Sequence, residues 1–185
     1  MDALELLTSR RSEKKLAEPA PNKQQLEYLF QSALHVPDHG KLNPYHFIVI
    51  EKEGLAKFEK LLESVVDEFD LGEERLRKAK SIAYRAPMVI AVIAKLNEEI
   101  KKVPTWEQEL TAGCATYAMQ LAAKAQGFDN VWITGPWVNG SELRKAFKCE
   151  QQDKVVALLL IGTAGEKLER DKKILDTDSF ISYLE

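Results

Sequence analysis

Apolar positions along this chain fall into two rhythms. Phe58, Leu61, Leu62, Val65, Val66 and Phe69 recur three and four residues apart, which predicts an amphipathic helix. Leu26, Leu29, Phe30, Ala33 and Leu34 repeat the pattern behind Asn22-Lys-Gln-Gln25, a capping box, and Pro37 ends that helix at or before Val36. Asp2 and Glu5 open a shorter helix over residues 2–9 that carries Leu4, Leu6 and Leu7. The second rhythm is a short unbroken run. His46–Ile50, Met88–Ala94, Phe128–Ile133 and Val155–Ile161 read as buried strands, the last stopped by Gly162. The run at 88–94 argues for cover on both faces.

Between these lie a charged helix over 73–83 and a short helix over 142–147 capped by Ser141. Thr105-Trp-Glu-Gln108 reads as a third capping box. Its helix runs to Gln126 and stops at Gly127. That helix is small and apolar nearly all round (Ala112, Gly113, Cys114, Ala115, Ala118), so deep burial against a sheet or another subunit is expected, with Cys114 an inert buried thiol. The organisation is α+β, with four or five core strands among helices. Residues 164–179 are polar and without period, and Phe180–Leu184 are again largely apolar. An apolar end on a polar arm is expected to dock, on its own body or on a partner subunit.

Composition narrows the class. The 185 residues are 45% hydrophobic and 30% charged, with net charge −3, so neither a nucleic-acid footprint nor attraction to an acidic membrane is expected. No apolar run is long enough to span a bilayer, and the N-terminus does not read as a signal peptide. Two cysteines make no disulfide framework and suggest a reducing, cytoplasmic compartment.

Candidate chemistry is sparse. Arg10-Arg11-Ser12, at the end of the first helix, offers guanidinium forks and a hydroxyl, a set suited to phosphate. A solvated basic helix terminus gives the same triplet. His35 and His39 stand four apart, but Pro37 breaks the helix between them and no ligand cluster surrounds them, so no metal site is expected. His35 closes its helix, and His39 is a loop group near an anion or ring. The nine glycines never cluster into a phosphate loop, and no nucleophile elbow appears. Glu107 and Glu109 could serve as acid or base, or simply suit a helix N-terminus. An anion clamp without nucleophiles is compatible with a borrowed, phosphate-bearing cofactor.

Several blocks resemble one family. Arg10-Arg11-Ser12, Pro37-Asp38-His39 leading to Asn43-Pro44-Tyr45-His46-Phe47, and Val131-Trp132-Ile133-Thr134-Gly135 are similar to the FMN-dependent nitroreductases, in their short YdjA-type branch. Val103–Glu109 and Ala112–Ala115 support the likeness. The resemblance implies a nitroreductase-like α+β fold, one domain over 1–185 with 164–185 as a C-terminal extension. It implies a central mixed sheet of four to five strands flanked by helices, and a homodimer with FMN at the subunit interface. Arg10, Arg11 and Ser12 would then hold the FMN phosphate and ribityl chain. His35, His39 and Asn43 would reach the cofactor, and Trp132, Ile133, Thr134 and Gly135 would line its ring. The nicotinamide segment would fall at Ala122, Ala123, Lys124, Ala125, Gln126 and Gly127. Arg170, Lys172 and Lys173 are candidates for a late phosphate contact.

The implied activity is reduction of small flat acceptors, such as nitroaromatics or quinones, with NAD(P)H as donor, in two half-reactions and without a catalytic side chain. The resemblance also implies a departure: close members of this branch can carry an arginine in the middle of the segment that here reads Trp132-Ile133-Thr134, and Ile133 with a short, open site keeps open an FMN-binding protein without turnover, a sensor or carrier on the same scaffold.

Overall fold

The computed structural model describes residues 2–165 and 176–184. Helix α1 spans Ala3–Ser9, and Asp2 caps it by accepting from the Glu5 N–H at 2.9 Å. Helix α2, Lys23–Leu34, starts at the expected reciprocal capping box of Asn22 and Gln25 and closes at His35. Then come β2 (Tyr45–Glu51), α3 (Glu53–Glu68), α4 (Gly72–Ala83) and β3 (Met88–Ala94). Helix α5 (Thr105–Ala125), β4 (Asp129–Ile133), α6 (Ser141–Ala146) and β5 (Lys154–Ala164) complete the core. A two-residue strand, β1 (Leu16–Ala17), is too short to leave a periodic signal in the sequence.

The five strands form one sheet. Strand β5 pairs with β3 along one edge, and β3 with β2. Strands β4 and β1 share the other edge of β5, where Ile133 lies opposite Leu158 and Ala17 opposite Thr163. Every one of these ladders is antiparallel, so the expected mixed sheet is corrected to an antiparallel one. Unbroken apolar runs come here from helices on both faces. Val89, Ala91 and Ile93 join the core under α3, α4 and α6, while Ile90 and Val92 join the core under α2 and α5. Each strand residue alternates faces, so a strand covered twice must be apolar at every position.

Three further expectations change. Gly162 does not stop β5; it lies within the strand, where a Cβ would meet the Ala17 carbonyl oxygen and Pro87 Cδ, each at 2.8 Å. Gly140, not Ser141, precedes α6, and the Ser141 N–H and hydroxyl both donate to Glu68 Oε2. The third capping box does not form. Gln108 is buried, accepts from Asn97 N–H and donates to the Asn97 and Val103 carbonyls, so it ties down the 97–103 loop. Among the described residues no helix is long and apolar enough to cross a membrane.

Candidate functional site

The arginine triplet is anchored by its neighbours. Arg10 ends α1, its N–H donating to the Leu6 carbonyl at 3.3 Å. Three residues on, Glu13 N–H donates to the Asn130 carbonyl of β4 at 3.0 Å. Asn130 is itself fixed to α5: Gln120 Nε2 donates to its Oδ1 at 2.8 Å, and its Nδ2 donates back to the Gln120 carbonyl at 3.0 Å. The triplet therefore sits where α1, β4 and α5 meet. Arg10 and Arg11 are half-buried and Ser12 is exposed. Beside them, Ser9 Oγ is buried without a hydrogen-bond partner among the described residues. A buried hydroxyl left unmatched next to a cationic terminus suits a ligand with oxygen acceptors.

The strand end lies on the same side. Trp132 is oriented by its indole N–H, which donates to the Val156 carbonyl at 2.9 Å. Ile133 packs against the larger core cluster. Thr134 and Gly135 are exposed, and Gly135 adopts φ 88°, a conformation open to glycine but strained for other residues. A cleft of about 380 Å³ opens beside them, walled by Glu109 and Gly113 of α5, Trp132, Thr134, Asn139 and Arg144. Its charges are matched: Lys154 and Glu109 pair at 2.6 Å, and Arg144 donates to the Asp153 and Glu150 carbonyls at 2.8 Å.

The histidine loop is a second, separate group. His35 Nδ1 contacts the Gln31 carbonyl at 2.7 Å, as expected of a helix-closing residue. His39 opens a 3₁₀ turn, His39–Lys41, and its Nδ1 lies 2.7 Å from Glu107 Oε2. Thr111 Oγ1 donates to the Pro37 and Glu107 carbonyls at 3.3 and 3.1 Å, fastening loop to helix. Asp38 accepts from the Asn43 N–H at 2.7 Å, and Tyr45 OH donates to Asn43 Oδ1 at 3.3 Å. Burial first, and the charge of Asp38 second, push the Tyr45 phenol above its ordinary range. Glu107 enters the site here as the partner of His39, a pairing across 68 positions that no local pattern announces.

The two groups flank one face of α5. Trp106, Leu110, Cys114, Tyr117 and Leu121 recur at three- and four-residue spacing on that face. Glu107 and Thr111 lie to one side of it, Glu109 and Gly113 to the other. Trp106 and Leu110 are 61% and 59% exposed and Tyr117 is 39% exposed. Within one chain, the expected burial against a sheet covers one side of the helix only. Ala112, Ala115, Met119 and Ala123 are buried against the sheet and α2, while the opposite stripe is open. Cys114 is exposed, not buried.

The nicotinamide candidates occupy the far end of α5. Glu107 and Ala122 are separated by fifteen residues, about 22 Å of helix. Ala123 is fully buried, and Lys124 pairs with Asp129 at 2.5 Å. Gln126 donates to the Gln25 carbonyl, and Gly127 turns the chain with φ 90°. Within one chain this segment meets neither the histidine loop nor the cleft. Arg170, Lys172 and Lys173 lie outside the described residues. No group of three or more potential metal ligands occurs among the described residues.

Residues 7–163 match the Nitroreductase family. The chain belongs to that family. It is 62% identical to a Haemophilus influenzae protein over the full length of both, and 44% identical to YdjA of Escherichia coli K12 over 99% of this chain and 100% of that one. Both relatives carry the name "Putative NAD(P)H nitroreductase". The fold is shared with a nitroreductase-like protein of Bacillus cereus (TM-score 0.81, 22% identity, covering 100% and 97% of the two chains). It is also shared with NfnB, an FMN- and NADPH-dependent nitroreductase of a Sphigopyxis strain (TM-score 0.78, 15% identity, 99% of each chain). An oxidoreductase role follows from the family.

Proposed function

We propose that this chain is an FMN-dependent oxidoreductase that uses NAD(P)H to reduce small flat acceptors such as nitroaromatics or quinones. It works as a cytoplasmic homodimer with FMN at the subunit interface, each chain acting as one domain over residues 1–185. The observation that carries this reading is the open apolar face of α5 between two incomplete half-sites. A two-fold axis across that stripe brings the histidine loop of one chain towards the cleft of the other, because the two groups flank it on opposite sides. Both apolar ends of the chain await cover in the same way. Leu4 on α1 is 75% exposed, and Phe180 and Leu184 are 85% and 104% exposed. The C-terminal arm docks on the partner subunit.

The residues fit the cofactor. Arg10 and Ser12, with Arg11 beside them, hold the phosphate and ribityl chain, and the unmatched Ser9 hydroxyl sits at the same corner. Trp132, Ile133, Thr134 and Gly135 line the ring, with the backbone N–H groups at Thr134 and Gly135 free of strand pairing. His35, His39 and Asn43 complete the site across the interface. Ala122 to Gly127 receives the nicotinamide. FMN, when bound, supplies two-electron redox chemistry and so divides turnover into oxidation of NAD(P)H and reduction of the acceptor. The protein positions both partners, excludes water from the ring and supplies hydrogen bonds. The Ile133 side chain packs against the larger core cluster and so puts no charge beside the ring.

Purified protein is expected to be yellow, or to become so with FMN, and to bleach on anaerobic mixing with NADH or NADPH. Colourless protein that cannot be reconstituted would overturn the flavin reading. A yellow protein that stays yellow with both nucleotides would replace the reductase by a flavin-binding sensor or carrier.

A further inference from the structure

We propose that Glu107 is a positioning residue: it holds His39 in the tautomer protonated at Nδ1, leaving Nε2 as a hydrogen-bond acceptor for a donor group of the bound flavin nucleotide. The inference rests on the FMN reading above. A carboxylate at neutral pH has only acceptors, so the 2.7 Å contact requires the proton on Nδ1. That length is typical of a charge-assisted bond. Neutral imidazole carries one N–H, so Nε2 is then a lone pair. Nε2 makes no hydrogen bond among the described residues, and the His39 side chain is 51% exposed while Glu107 is 27% exposed. The imidazole is thus the more open member of the pair, and the carboxylate the more enclosed.

Both ends of the contact are held. Glu107 stands in the first turn of α5, and Thr111 ties its carbonyl and that of Pro37 together. Gly40 turns the loop with φ 79°, and a Cβ there would meet Val103 Cγ2 at 3.2 Å, so the loop lies close on the segment leading into α5. His35 provides an internal comparison. Its Nδ1 must also donate, to the Gln31 carbonyl, without any help from Glu107. FMN offers donors of the required kind in its ribityl hydroxyls and its ring N3–H.

The chain has three histidines, so their ring-nitrogen spectra are assignable one by one. Long-range ¹⁵N–¹H correlation on the apoprotein distinguishes a ring protonated at Nδ1, at Nε2 or at both, and so reads the tautomer of each neutral ring directly. His35 and His39 are both expected to show Nδ1–H. In Glu107→Ala, and in Glu107→Gln, whose amide can donate as readily as accept, His39 should lose that preference while His35 keeps it. Glu107→Gln retains the side-chain volume and guards against loss of the fold.

FMN titration by fluorescence quenching supplies the second readout. His39→Ala and Glu107→Ala should each weaken binding by up to roughly tenfold, the worth of one hydrogen bond, and the double variant should weaken it no further. Additive losses, or His39 keeping Nδ1–H in both Glu107 variants, would overturn the proposal. His39 lacking Nδ1–H in the wild type overturns the positioning role alone. Wild-type protein that binds no FMN overturns the cofactor reading and with it the ligand assigned to Nε2.

Discussion

Leu110 offers the most direct test of where the second chain docks. It lies mid-stripe on α5, between Trp106 and Cys114, and is 59% exposed. Leu110→Ala removes three carbons, each worth about 0.8 kcal/mol when buried. Scaled by the exposed fraction, the loss is about 1.4 kcal/mol per copy. A two-fold interface contains the residue twice, so the dimer loses about 2.8 kcal/mol, and its dissociation constant rises roughly a hundredfold. Sedimentation velocity over a concentration series measures that constant, with flavin absorbance reporting whether FMN leaves as the chains separate. Phe69→Ala is the control: Phe69 is 43% exposed, but it closes α3 on the opposite face of the sheet. A Leu110→Ala constant within threefold of the control would refute the assignment of this face, and with it the joining of the two half-sites.

Arg10→Ala should weaken FMN binding about ten- to a hundredfold, as expected for a hydrogen bond to a charged group, while Arg75→Ala on α4 leaves it unchanged; equal affinities in a fluorescence titration would contradict the clamp. Asp153 is 99% buried and accepts from Lys95 and from the Leu96 and Glu150 N–H groups. Asp153→Ala therefore strands two backbone donors and should cost about 3 kcal/mol in urea unfolding; a loss below about 1 kcal/mol would refute the network's weight. Burial depresses the Lys95 ammonium, but the Asp153 hydrogen bond and the charges of Asp153 and Glu150 outweigh it and raise the net value above 10.5. The sign follows: this contribution is full below about 10.5 and is lost as pH rises beyond it, so the wild type's alkaline loss of stability should be shallower in Asp153→Ala. Gly162→Ala should lower stability by about 1–3 kcal/mol, read as a fall in melting temperature, because the added Cβ meets a fixed carbonyl and a proline ring.

Local signals in this sequence are legible and non-local ones are not. The Asn22–Gln25 box, the glycine at 127 and the four apolar runs each act through neighbours a few residues away, and each appears in the structure. Thr105-Trp-Glu-Gln108 has the same local spelling as a capping box, yet Gln108 is drawn off by partners at 97 and 103. Gly162 looked like a strand end because a glycine's local meaning is a break; its actual partners, Ala17 and Pro87, are distant in sequence. Strand β1 exists only because β5 continues past that glycine to pair with it. The direction of strand pairing was likewise invisible, since two-sided burial gives one apolar pattern for either direction.

Helix α5 shows why the candidate site was legible as residues and illegible as a place. A stripe of small and apolar side chains has the same composition whether it meets a sheet or another chain. Its buried half answers to Ala115, Met119 and Ala123, and its open half to Trp106, Leu110 and Tyr117. Aromatic residues at an exposed position cost solubility unless something covers them, which is the physical signature of an interface. The candidate residues then divide according to the flank they occupy. Arg10, Ser12 and the Trp132–Gly135 strand end belong with β4, while His39 and Glu107 belong with the N-terminal turn of α5. One chain cannot close that gap, because α5 itself stands between the two groups. Two chains related across α5 can, so dimer affinity and FMN affinity should fall together in every variant of the stripe.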